Sequence, residues 1–391
     1  MNTTLKLRPS GGPDTIALQV PRATRHLPIV DRTPSAIVYC EGNFGEIDGK
    51  TANGLVRHSQ AYRIISVVDS GQAGKDSGEL LSGTPNGIAI FASVEAAIDA
   101  ATECPDTLIY GVAPSTGKLS PVDRVVILDA IARGMNIVSG LHEYLGDDVE
   151  FSAAAKASGV AIRDIRKPRP AKDMRLFDGS VATVSATRIA VLGTDCAIGK
   201  RTTATILASA LNARGIRTVL VGTGQTGLMQ GARYGVALDA VPPQFCCGEL
   251  EGAIVAAFEG EKPDVILIEG QGALSHPAFC TSAFILRGSQ PDAVILQHAP
   301  KRAHRCDFPD MAMPEPADEI RLIEAFSDTK VAGLTINHEG MNEIEIGNAI
   351  ADYSRTLGLP VTDALSRPVE ELVAMVLATF PALGRRTGAV A

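Results

Sequence analysis

Ile189-Ala-Val-Leu-Gly-Thr-Asp-Cys-Ala-Ile-Gly-Lys-Arg-Thr-Thr203 decides the fold of this chain. The apolar run Ile189 to Leu192 reads as a buried strand that stops at Gly193. Gly199-Lys200 then opens a helix on which Ala204, Leu207, Ala208 and Leu211 share one face. Strand, glycine loop and helix in that order make an anion cradle. Backbone N–H groups point inward, the helix N-terminus adds positive potential, and Lys200 brings a full charge. The expected ligand is phosphorylated, held by Gly193, Asp195, Gly199, Lys200, Arg201, Thr202 and Thr203.

The loop departs from the usual phosphate loop in two ways. Five residues, Thr194 to Ile198, separate its glycines where four are usual. The position after the lysine, normally a Mg²⁺-ligating Ser or Thr, is Arg201, and an arginine cannot ligate a cation. Phosphate binding survives this change while metal–triphosphate chemistry is weakened. The longer loop resembles Gly-Thr-Asp-Thr-x-x-Gly-Lys of dethiobiotin synthetase and its relatives.

At 391 residues the chain suggests two domains, each able to bury a core. With 45% hydrophobic and 20% charged residues it is globular and not disordered. The 36 basic against 44 acidic residues argue against a general nucleic-acid binder. No apolar run approaches the roughly 20 residues of a membrane span, and the N-terminus lacks a signal-peptide core. Seven cysteines without a C-x-x-C pair fit reduced thiols and no metal centre. A soluble cytoplasmic enzyme is expected, acting on small molecules as a homo-oligomer, without nucleic acid, membrane or metal.

The expected fold is α/β with two parallel sheets. The first thirty-odd residues are proline-rich and irregular, with Thr15 to Val20 as a possible edge strand. Strands over 36–40, 62–68, 107–111 and 136–138, with helices over 51–59 and 122–133, read as a Rossmann-like N-terminal domain, residues 1–165. Asp69 closes the second strand, where either a ribose or a turn would use it; the full G-x-G-x-x-G is missing, so a dinucleotide is weakly signalled. A basic, proline-bearing linker spans 166–183. The C-terminal domain, residues 184–391, is expected to be P-loop NTPase-like, with strands over 189–192, 218–221, 264–269, 293–297 and 331–336. Helices are expected over 248–258 and 318–326.

Ligands of open α/β sheets bind beyond the carboxyl ends of the strands. In the second domain those ends carry the phosphate loop, then Gly222-Thr-Gly-Gln-Thr-Gly227, with Gly224 and Gln225. They continue with Glu269-Gly-Gln-Gly-Ala-Leu-Ser-His-Pro277, His298 to Arg305, and Asn337-His338. Glu269 suits a metal ligand, a proton acceptor or a loop-capping carboxylate, and His276 suits a proton carrier or an ordinary loop histidine. Arg287, Lys301, Arg302 and Arg305 make a basic rim fit for carboxylates or outer phosphates.

Over nearly its whole length the sequence resembles a family catalogued as a domain of unknown function, DUF1611. The likeness is carried by Cys40-Glu-Gly-Asn-Phe-Gly45, Asp48-Gly-Lys-Thr-Ala-Asn-Gly54, Ser139-Gly-Leu-His-Glu143, the loop 193–203, Gly222–Gly227, Ile268-Glu-Gly-Gln-Gly-Ala-Leu274 and Leu296-Gln-His-Ala-Pro300. The resemblance implies a D-glutamate N-acetyltransferase with acetyl-CoA as co-substrate, serving D-amino-acid catabolism. On that reading Lys200 and the loop amides take the pyrophosphate without a catalytic metal, and Glu269 or His276 deprotonates the amine. Gly224 or Gly270 amides meet the oxyanion, and Arg287, Arg302 and Gln225 hold the acceptor. An ATP-dependent ligase or kinase using Mg²⁺, resembling dethiobiotin synthetase, and a ligand-sensing module are the alternatives.

Overall fold

Each apolar run of the N-terminal half is short, β-branched and followed by an amphipathic segment, the pattern of parallel strands joined by crossover helices. A computed structural model describes residues 33–114 and 116–387; Thr15 to Val20 lies outside them. The strands are β1 (Ser35–Tyr39), β2 (Arg63–Val68), β3 (Ala89–Phe91), β4 (Thr107–Tyr110), β5 (Asn136–Ser139) and β6 (Ile162–Asp164). Their order is β3-β2-β1-β4-β5-β6, all parallel, the doubly wound Rossmann order. Helices α1 (Lys50–Arg57), α2 (Ser77–Ser82), α3 (Val94–Ala100), α4 (Pro121–Ala132) and α5 (Val149–Ser158) connect them. The chain order reverses between β1 and β4, whose carboxyl ends pair Tyr39 with Tyr110 at the topological switch point.

The second sheet is built from β7 (Thr187–Gly193), β8 (Thr218–Gly222), β9 (Tyr234–Gly235), β10 (Val265–Glu269), β11 (Ala293–His298), β14 (Val331–Ile336) and β15 (Val361–Thr362). A small antiparallel hairpin, β12 (His304–Arg305) with β13 (Phe308–Ala312), stands apart. The order β15-β14-β11-β7-β10-β8-β9 puts the phosphate-loop strand at the centre. Register sets Glu269 opposite Val191 and Gln297 opposite Gly193, so both flank the start of the loop. The helices are α6 (Lys200–Ala213), α7 (Gln225–Gln230), α8 (Pro243–Glu261), α9 (Thr281–Ser289), α10 (Pro316–Phe326), α11 (Glu343–Leu357), α12 (Val369–Thr379) and α13 (Pro381–Thr387).

Both faces of this sheet are covered, and the period-2 geometry of a strand sorts its residues between them. Val265 and Leu267 of β10 pack with Leu207, Leu211 and Leu372 under α6 and α12. Ile266 and Ile268 pack with Leu250, Ile254 and Ile285 under α8 and α9. A strand buried on both faces reads as a continuous apolar run, which is why these strands were legible.

From Pro34 onward the chain forms one compact unit. Helix α7, at the carboxyl edge of the second sheet, touches the first. Thr51 Oγ1 lies 3.1 Å from Thr226 Oγ1, and Arg166 donates to Gln225 Oε1 at 2.8 Å. Gln230 donates to the Gly54 carbonyl. The carboxyl edge of the second sheet therefore meets the first crossover helix. Among the described residues no helix is long and apolar enough to cross a membrane.

Candidate active site

The phosphate loop needs its glycines for steric reasons. Gly199 sits at φ +100°, in the left-handed region that side chains avoid. A Cβ on Gly193 would lie 2.8 Å from Ile198 Cδ1 and 2.9 Å from Lys200 Cδ. Lys200 is 5% exposed and turns back so that its ammonium donates to the Asp195 carbonyl. Burial pulls its pKa below the ordinary lysine value. Thr203 donates to Gln297 Oε1 at 2.6 Å, and Thr202 is half-buried in the same helical turn.

Arg302 braces this loop from β11's side. It donates to the carbonyls of Cys196 at 3.1 Å and Ala197 at 2.9 Å. Its other N–H groups grip Glu339 at 2.7 and 2.9 Å. Asp195 is buried, with Oδ2 accepting from the Cys306 N–H at 2.6 Å. Arg305 reaches Ser275 Oγ at 2.9 Å.

Arg201, the residue that replaces the metal-ligating hydroxyl, points at Glu269. The Arg201 guanidinium is 3.4 Å from Glu269 Oε2, and the Thr223 N–H donates to the same oxygen at 3.1 Å. Arg201 is also held by Gln230 Oε1. The pair is covered by α7. A Cβ on Gly227 would lie 2.2 Å from Glu269 Oε2 and 2.4 Å from the Arg201 guanidinium, so the second glycine-rich motif leaves room for an ion pair. Gly224 caps α7 beside Gln271, whose amide donates to Thr223 Oγ1 at 2.9 Å. Gln225 is turned to Arg166.

The histidines differ sharply in what they offer. The His276 side chain has 0% exposure; Nδ1 accepts from the Ala278 N–H at 3.2 Å and Nε2 faces Asp195 Oδ1 at 3.8 Å, beside Phe279 and Phe308. Burial, then Arg305, pushes its pKa down. His298 bridges Thr194 Oγ1 at 2.9 Å and Tyr353 Oη at 3.1 Å. His338 Nδ1 lies 2.7 Å from Asp363 Oδ2 and its side chain is 34% exposed.

Burial lowers the His298 pKa from 6.5 to about 4. The folded state then binds fewer protons than the unfolded chain between those values, so stability falls as pH drops through this window and is fully present above it. Urea unfolding of wild type should lose about 2 kcal/mol between pH 7 and 4.5 that a His298→Gln variant retains. Equal slopes in the two proteins would show that His298 is not held neutral.

The edge thus gathers Gly193, Asp195, Gly199, Lys200, Arg201, Thr202, Thr203, Gly224, Gln225, Glu269, His276 and Arg302. Arg287 is not brought to it. That residue ends α9, where the chain is returning to the amino edge, and its guanidinium stacks 4.8 Å from the Phe326 ring. In the first sheet Asp69 is spent on a turn, accepting from the Phe44 N–H at 2.9 Å and the Gly71 N–H at 3.0 Å. Sequence reading missed Asp363, Gln230 and Arg166. Asp363 follows a strand of two residues, too short to show any period.

A Rossmann-like sheet joined to a P-loop sheet, with an arginine after the loop lysine, defines the class. Residues 70–168 match the "Domain of unknown function (DUF1611_N) Rossmann-like domain" and residues 175–373 the "Domain of unknown function (DUF1611_C) P-loop domain". The chain belongs to the DUF1611 family. A relative from Tritonibacter scottomollicae, named D-glutamate N-acetyltransferase, is 33% identical over 68% of this chain and 80% of its own. One of the same name from a Pseudoalteromonas species is 34% identical, with the same coverage. The crystal structure of a DUF1611 family protein from Anabaena variabilis ATCC 29413 superposes with a TM-score of 0.81 at 31% identity, over 88% of this chain and 99% of that one.

Proposed function

We propose that this chain moves an acetyl group from acetyl-CoA to the amine of D-glutamate. The relatives' shared name supports the reaction, and one feature of the site carries the choice of ligand. Where a metal-dependent phosphate loop has a hydroxyl and a free carboxylate for Mg²⁺, this site has Arg201 bound to Glu269. The guanidinium is a resident cation, so the loop suits a diphosphate that must be held and not cleaved. Coenzyme A carries such a diphosphate.

Lys200, released from the Asp195 carbonyl, pairs with the diphosphate, and the amides of Gly199 to Thr202 complete the cradle. Arg302 keeps the loop in shape through the carbonyls of Cys196 and Ala197. The thioester supplies an activated acetyl group. The acceptor amine attacks it once deprotonated. Loop amides at Gly224 and Gly270 are candidates to steady the oxyanion.

The test is incubation with acetyl-CoA and a panel of D- and L-amino acids, following thiol release. Thiol release dependent on D-glutamate, without Mg²⁺, is the expected result. MgATP hydrolysis with no response to acetyl-CoA would replace this reading with the ligase or kinase.

A further inference from the structure

Acyl transfer to an ammonium group needs a base with a free lone pair within reach of the substrate. Glu269 is occupied by Arg201 and the Thr223 amide. His276 turns both ring nitrogens inward and has no exposed side-chain surface. His298 spends both nitrogens on Thr194 and Tyr353. His338 differs from these histidines of the edge in exposure, its side chain being 34% exposed.

His338 follows β14 and Asp363 follows β15, so adjacent parallel strands deliver the two side chains to the same carboxyl edge. Asp363 is 1% exposed, and its Oδ1 accepts the N–H groups of Leu365 at 2.8 Å and Ser366 at 2.9 Å. Three donors therefore hold the carboxylate in one orientation. Oδ2 takes Nδ1–H of His338 at 2.7 Å, since a carboxylate can only accept. That bond selects the tautomer in which Nε2 carries the lone pair, and Nε2 has no protein partner among the described residues. The ring is tethered to the phosphate loop on both sides in sequence. The N–H of Asn337 bonds to the His298 carbonyl, and Glu339 is gripped by Arg302, which also holds the loop carbonyls. Capping the turn at Leu365 and Ser366 uses Oδ1 alone, which leaves Oδ2 to the imidazole.

We infer that His338 is the general base for the acceptor amine, with Asp363 as its positioning residue. This rests on the acetyl-transfer reading. His338 Nε2 accepts a proton from the ammonium, and the amine nitrogen bonds to the thioester carbon. The C–S bond then breaks. Of the three ammonium protons, one stays on the amide, one ends on the departing thiol and one passes to solvent.

The experiment compares wild type with His338→Gln, His338→Gly and Asp363→Asn, using acetyl-CoA and D-glutamate. For His338→Gln, kcat should fall about 100- to 10,000-fold while calorimetric CoA affinity stays within about twofold. Asp363→Asn should lose roughly tenfold or more in kcat by freeing the ring. Added imidazole should restore part of the turnover in His338→Gly, which a structural role would not allow. An active wild type with His338→Gln retaining more than half its kcat overturns this inference and leaves acetyl transfer standing. A fall in CoA affinity alone, with kcat preserved, also overturns it. A wild type inactive with every amine removes both. Should His338→Gln fail to fold, the imidazole rescue of His338→Gly and the kcat of Asp363→Asn decide the matter.

Discussion

Lys200→Met lowers kcat/KM for acetyl-CoA by about 30- to 1000-fold, the equivalent of about 2–4 kcal/mol for losing one partner of a buried charge pair. The loss is expected mainly in KM, because on the proposed reading the ammonium would meet the diphosphate in both the bound and the transition state. The unliganded protein makes a second, opposite prediction. Lys200 is almost fully buried with, among the described residues, only the Asp195 carbonyl as a hydrogen-bond acceptor, and burial already disfavours its charged form. Removing that charge should leave the free variant as stable as wild type or more so. Unchanged KM with lowered stability would mean that Lys200 is structural and that the diphosphate binds elsewhere.

Breaking the Arg201–Glu269 pair should produce the largest stability effect. Glu269→Ala strands a guanidinium inside the sheet edge, at a cost of about 3–5 kcal/mol. Arg201→Met combined with Glu269→Gln removes both charges and should recover most of that loss, because the pair's mutual attraction is offset by its own desolvation. Urea unfolding of Arg201→Met, Glu269→Gln and the double variant that combines them forms the cycle, with a coupling of about 2 kcal/mol or more expected. Additive losses would show that the two groups do not sense one another. In activity, the double variant should bind CoA more weakly, since the resident cation is gone. If added Mg²⁺ were to restore CoA affinity in Arg201→Met alone, where Glu269 keeps its carboxylate, the metal-replacement reading would be strengthened.

The phosphate loop was legible because its signal is local. Glycine at φ +100° and a strand of β-branched residues follow from chain sterics within fifteen residues. The glycines of 222–227 were legible only as a motif. In the structure Gly222 ends β8 and helix α7 begins at Gln225, with Gly227 yielding space to Arg201 and Glu269. Short elements escaped for a plain reason. The three residues of β3 and β6 and the two of β9 and β15 hold too few side chains to show a period of two.

By itself, the sequence determined the alternation that builds two parallel sheets, the phosphate-loop motif at Gly193 to Thr203, and the polar residues at strand ends. Those features depend on backbone preference and hydrophobic period, which act over a few residues. Only the tertiary structure decided which polar groups answer one another. Arg201 meets Glu269 across 68 positions of sequence, and His338 meets Asp363 across 25. It also decided that His276 turns inward while His338 keeps a nitrogen free, and that Arg287 faces away. Partner choice is made by strand order and register, and these follow from packing the whole chain.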